Sequence, residues 1–180
     1  MMKKWSTKML VEAGIMIALA IILDRIKIYE APQGGSVTAG SMIPIFLFAF
    51  RWGLGPGIIA GALFGLLQLM LGGWFFSPAQ AILEYPVAFG FLGLAGIFSN
   101  YAYREDKSGI IGIVAGVFSG VAIRFICHLL AGVIFFSEYA GSQNPWIYSL
   151  LYQASYLVPE FIISAVILAL IWKPLSKIPR

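Results

Sequence analysis

Five ionisable side chains interrupt otherwise apolar stretches of this sequence: Glu12, Glu84, Arg124, His128 and Glu160. A charge in hydrocarbon costs about 2.5 kcal/mol or more, so such groups are functional candidates by default. Glu84 and His128 bring a carboxylate and a titratable imidazole, the pair needed either for acid–base work or for holding a polar, cationic ligand. Arg124 and His128 are four residues apart on one helical face, with Gly132 continuing the stripe. Gly132 omits a side chain where a ligand or a neighbouring helix could approach. Tyr148 and Gln153 add a phenol and a carboxamide. Aromatic faces attract cations by about 0.5–2 kcal/mol each, so these groups with Trp74, Phe136 and their neighbours suit a flat heteroaromatic ligand. Phosphate suits them poorly, because no Gly-rich phosphate loop is present.

The elements that carry these residues follow from composition. The 180 residues are 60% hydrophobic and 11% charged, with a mean hydropathy of +0.89. Soluble domains carry about a quarter charged residues, so a watery surface and a disordered chain are both excluded. The reading is an all-α integral membrane protein, a single domain of six transmembrane helices in a compact bundle. The expected spans are 8–23, 37–50, 54–71, 78–101, 109–136 and 146–172. Six spans of about 20 residues consume ~120 residues and leave no room for a soluble catalytic domain. The second run is marginal in length, with Pro44 near its start where a missing N–H costs least. Residues 24–38 read as a mixed outer loop.

Charge asymmetry sets the orientation. Lys3, Lys4, Lys8, Arg51, Arg104, Lys107, Lys173, Lys177 and Arg180 fall on one side, and Arg25 and Lys27 on the other. The bias places both termini in the cytoplasm. The net charge of +4 is dispersed along the ends of the apolar runs, which excludes a nucleic-acid surface. Lys3 and Lys4 ahead of Ala18-Leu19-Ala20 imitate a secretory signal. The apolar run continues past them, so a retained first helix is expected. Cys127 is a small buried hydrophobe, and no metal-type spacing accompanies it.

With six spans, Glu84 lies about six residues, hence ~9 Å, below the outer end of its helix. His128 and Gln153 lie at similar depth on the next two helices. Three helices thus carry polar groups at one level, which points to a pocket open to the outside. The alternative is structural: Glu84 neutralising Arg124, and His128 capping a backbone carbonyl as interhelical glue. Glu12 reads as an i,i+4 partner of Lys8, and Glu160 as a partner of Arg124. An enzyme would need a nucleophile elbow or a zinc pair, and neither is evident. A small intramembrane enzyme using Glu84 and His128 as acid and base stays open as the rival of a different class.

Several ordered motifs carry a family resemblance over nearly the whole chain. They are Pro-Gln-Gly-Gly-Ser-Val (32–37), Phe-Arg-Trp-Gly (50–53), Glu-Tyr-Pro-Val-Ala-Phe (84–89), Arg-Phe-Ile-Cys-His (124–128) and Trp-Ile-Tyr-Ser-Leu (146–150). In these the chain resembles the substrate-binding (S) components of energy-coupling-factor vitamin importers, most closely the thiamine-specific one. The resemblance implies a six-helix bundle of the bacterial cell membrane that binds thiamine from outside, without enzymatic activity or cofactor of its own. It implies ligand contacts at Glu84, Tyr85, His128, Tyr148 and Gln153, where Gln153 stands in place of the usual Asn. Phe64 and Phe136 occupy stacking positions that are Trp in some relatives, and Tyr29 is the aromatic of the first outer loop. The resemblance further implies docking through Gly14 and Ala18 onto a transmembrane coupling subunit, with two ATPase subunits supplying energy. Another vitamin or a thiamine precursor is the alternative ligand.

Overall fold

The computed structural model describes residues 5–178; Lys3, Lys4 and Arg180 of the charge count lie outside them. Six helical segments run α1 Thr7–Asp24, α2 Ile43–Trp52, α3 Leu54–Met70, α4 Pro78–Ala102, α5 Lys107–Phe135 and α6 Pro145–Ser176. The last three are long and apolar enough to cross a membrane, and α2 and α3 are shorter apolar helices. The exposed faces are as greasy as the core. Leu10, Val11, Ile15 and Leu19 on α1, Ile111 and Phe118 on α5, and Leu170 on α6 all point outward. Such faces are at rest in lipid and in nothing aqueous.

Two expectations need correction. Residues 37–42 are not helical: α2 begins only at Ile43, with Pro44 in its first turn. Its ten residues rise about 15 Å, half a hydrocarbon core. The loop at 24–38 holds a small antiparallel hairpin, β1 Lys27–Glu30 and β2 Ser36–Thr38, so the fold is not purely α. Tyr29 pairs with Val37 and Glu30 with Ser36, with an irregularity between Lys27 and Tyr29. Gly34, at φ +98°, makes the turn a side chain would strain.

Short as it is, α2 is the axis of the bundle. Ile43 to Phe50 are all buried apart from the half-buried Leu47. A helix apolar on every side belongs in the middle of its neighbours. Trp172 of α6 meets Phe50 edge-on at 5.3 Å and donates its indole N–H to the Ala102 carbonyl at 2.7 Å. At the end remote from the hairpin, Glu12 is not simply an intrahelical partner of Lys8. It receives both Nε and Nη2 of Arg51, at 2.8 and 3.1 Å, and the Trp52 indole N–H at 2.6 Å. Asp106 caps α5 through Ser108, whose hydroxyl and backbone N–H hold that carboxyl below the ordinary Asp range.

Glycines let the long helices touch backbone to backbone. On α3, a Cβ at Gly61 would overlap the Phe89 carbonyl, and one at Gly65 the Tyr85 carbonyl. On α4, a Cβ at Gly93 would overlap the backbone of Gly57 and Ile58. On α5, Gly112, Gly116 and Gly120 form an i,i+4 stripe against α4 and the Phe50 and Phe46 rings. This is small-residue packing of the kind membrane helices use. It fixes α4 between α3 and α5, and α4 itself is irregular. Residues Leu83–Val87 form a π-helical turn around Pro86, and Phe91–Phe98 tighten to 3-10 geometry. Pro86 brings no N–H to the ladder, and the turn widens there.

We expect Gly93→Ala to destabilise the protein by about 1–3 kcal/mol through overpacking. Gly90→Ala, whose Cβ would find its nearest neighbours at ordinary contact of 3.6 Å, should be neutral to within about 0.5 kcal/mol. Thermal unfolding of the two variants in the same detergent checks the difference.

Candidate functional site

The π turn presents Glu84 toward α5, and the convergence expected from spacing is present. Glu84 Oε1 lies 3.2 Å from His128 Nδ1. The Gln153 amide donates to the backbone carbonyl of His128 at 3.2 Å. Tyr156 donates its hydroxyl to the other end of the same amide. Side chains of α4, α5 and α6 therefore meet at one level. They line a cavity of about 740 Å³ open at the hairpin end, within the ~300–1,000 Å³ usual for small-molecule sites.

The histidine tautomer follows from its neighbours. Arg124 donates its Nε–H to His128 Nε2 at 3.3 Å. A guanidinium has donors only, so Nε2 must accept. The ring proton is then on Nδ1, and it points at Glu84. A neutral imidazole leaves the carboxylate charge available to a ligand. Arg124 makes no direct ion pair with Glu84; the Glu160, Asp24 and Glu84 carboxylates favour its charge from beyond hydrogen-bond reach. Its guanidinium lies 4.0 Å over the Phe89 ring and its Nη1 is 2.9 Å from the Met42 sulfur. Nor is Glu160 its hydrogen-bonded partner: Glu160 is 2% exposed and accepts from the backbone N–H and hydroxyl of Thr38. That contact ties the end of β2 to α6.

Aromatic rings supply the rest of the wall. Tyr148 and Tyr152 stack at 6.1 Å with 19° between planes, and Tyr152 meets Tyr156 edge-on at 6.0 Å. Trp74, Tyr85, Phe136 and Tyr139 also line the cavity. Phe136 meets Phe76 edge-on at 5.7 Å and lies tilted against Tyr139 at 6.1 Å. Gly132 lines the cavity too, but a Cβ there would strike Ser149 of α6, so its first service is to helix packing. At the mouth, Arg25 is bonded to the Leu71 carbonyl and Lys27 to Glu30 at 2.6 Å, which engages both outer cations.

Two expected residues stand off this wall. Phe64 is fully buried in edge contact with Phe89 at 5.0 Å, behind the site. Tyr29 is half exposed on β1 and is not among the lining residues. Three contributors escaped the sequence reading. Tyr152 and Tyr156 continue Tyr148 at i,i+4 spacing, a readable signal. Tyr152 accepts the backbone N–H groups of Gln33 and Gly35 at 3.0 and 3.4 Å, clasping the hairpin tip to α6. Gln80 lies four residues before Glu84, fully buried, and bonds to it.

Comparison with known proteins places the chain in a family. Residues 10–179 match the model of a family described as thiamine transporter protein. A thiamine transporter of Bacillus subtilis (strain 168), ThiT, is 42% identical over 172 residues, covering 91% of this chain and 89% of its own. The solved structure of ThiT from Listeria monocytogenes superposes with a TM-score of 0.83 at 29% identity, over 92% of this chain and 93% of that one. The S component of a bacterial ECF transporter shares the fold at a TM-score of 0.57 and 21% identity, over 96% and 98% of the two chains. These relatives are transporters and transporter components rather than enzymes. The chain belongs to the thiamine transporter protein family.

Proposed function

We propose that this protein is the substrate-binding component of an energy-coupling-factor importer and captures thiamine from outside a bacterial cell. What carries the reading is the carboxylate of Glu84, held 3.2 Å from a neutral His128 in an aromatic-lined cavity open at one end. The thiazolium ring of thiamine is a flat cation. Glu84 complements its charge, and Phe136 and Trp74 offer faces to it. His128, Tyr85, Tyr148 and Gln153 orient the polar edges of the two rings. Glu84 and His128 serve here as binding groups, not as acid and base.

The exposed apolar faces support six crossings, with α1, α2 and α3 joining the three longer spans. The short α2 crosses together with the non-helical 36–42 segment that leads into it, β2 followed by a turn. The charge count supports cytoplasmic termini, with the cavity mouth outside. Transport then draws its energy from a membrane coupling subunit and two ATPases. Gly14 and Ala18 lie on the outward face of α1, opposite the buried Met9, Ala13 and Ile17, and nothing in the fold stands within 4 Å of a Cβ built on Gly14. We assign them to the docking stripe for the coupling subunit.

Titration of the purified protein with thiamine should quench tryptophan fluorescence through Trp74. Glu84→Gln should weaken binding about thirty- to a hundredfold, the worth of a charge-assisted contact, in a calorimetric titration. The separate pyrimidine portion of thiamine should compete weakly; if it competes as well as thiamine, a precursor is the ligand. Gly14→Leu should leave thiamine affinity within about twofold of wild type while cellular uptake of labelled thiamine falls. Unchanged uptake would remove Gly14 from the docking stripe.

A further inference from the structure

Gln80 is fully buried, and its carboxamide is saturated. Its Oε1 accepts the Phe76 backbone N–H at 3.0 Å. Its Nε2 donates to the Trp74 carbonyl at 3.3 Å and to Glu84 Oε2. The second oxygen of Glu84 faces His128 Nδ1 at 3.2 Å, and His128 in turn accepts from Arg124. Each carboxylate oxygen thus has one fixed donor, from opposite sides. The same amide ties down the 74–76 segment that carries an aromatic wall of the cavity.

We propose that Gln80 is a positioning residue for ligand capture, locking the Glu84 carboxylate and the Trp74–Phe76 segment into one arrangement before the ligand arrives. This rests on the reading that Glu84 meets the ligand. An unsupported glutamate in the widened π turn has several rotamers. A carboxylate with one donor on each oxygen has one, and each oxygen keeps a lone pair for the ligand. Fixing it in advance removes an ordering cost from binding. The orientation of the wall and of the charge become a single variable, because one amide sets both.

The test is thiamine binding by Gln80→Met and Gln80→Glu, followed by calorimetry at about pH 8.5 and about pH 6, where wild type is measured as the control. Methionine keeps the volume and removes both hydrogen-bonding functions. Glutamate can donate to Glu84 only while it holds a proton. The other groups that act on Glu84 are His128 and Arg124 of α5, Tyr85 of α4 and Tyr156 of α6, with Asp24 at the end of α1 and Glu160 of α6 acting in turn on Arg124; wild type carries them all and reports their titration. We expect Gln80→Met to lose about ten- to a hundredfold in affinity at both pH values. Gln80→Glu should recover most of the wild-type affinity at the lower pH. A purely structural role would not produce that pH-dependent rescue.

Gln80→Met binding within about twofold of wild type, or Gln80→Glu still as weak as Gln80→Met at the lower pH, would overturn the proposal. Should Gln80→Met fail to fold, Gln80→Glu compared with itself across the pH range decides alone, and no recovery counts against. Wild-type affinity in Glu84→Gln would instead overturn the reading of Glu84 as a ligand contact, which separates the two failures.

Discussion

Hydrocarbon offers no hydrogen bonds, so the polar groups inside this bundle are driven to find partners within the protein, and nearly all the buried ones among the described residues do, Glu160 Oε2 and Ser164 Oγ excepted. That constraint gathers the polar side chains of α4, α5 and α6 into one place. Glu84 finds Gln80 and His128, His128 finds Arg124, Gln153 finds Tyr156 and the His128 carbonyl, and Glu160 finds Thr38. Once collected, these groups form a site whose members are oriented by one another. The interhelical glue and the binding surface are the same atoms. The two readings that the sequence left open are therefore compatible.

The site depends on close backbone approach as much as on polar contacts. Gly61 and Gly65 allow α3 to rest on the carbonyls of Phe89 and Tyr85, at and just beyond the π turn. Gly112, Gly116 and Gly120 seat α5 against the same helix from the other side. Held between two glycine-faced neighbours, α4 keeps its irregular winding, and the winding aims Glu84 at His128. The widened turn itself follows from Pro86, and the glycines let α3 and α5 close around it.

Much of this was legible in the residues. Low charge and long apolar runs announced a membrane bundle, and the bounds of α1, α3, α5 and α6 fall within a few residues of the apolar runs. Glu84, His128 and Gln153 could be placed at one depth because helical rise converts residue counts into distance. What escaped depends on tertiary contacts that spacing does not encode. The hairpin at 27–38 is tied to α6 where Thr38 binds Glu160, a pairing across 122 residues, and α2 starts only beyond it. Phe64 looked available for stacking, yet it is covered by Phe89. Arg124 looked in need of a carboxylate in direct contact; its contacts are an aromatic face, a sulfur and an imidazole, and the carboxylates of Glu160, Asp24 and Glu84 act on its charge from farther off. Gln80 was readable in principle, since it stands one turn before Glu84 on the same face.

The clasp on the hairpin tip is made by the main-chain amides of Gln33 and Gly35 against the Tyr152 hydroxyl. A grip on backbone is blind to side-chain identity. The tip residues, Gly34 and Gly35 aside because the first turns at φ +98° and a Cβ on the second would strike the Tyr156 ring, are released from the task of holding themselves in place. The chemistry over the cavity mouth is thereby decoupled from its anchorage, which rests on a single phenol.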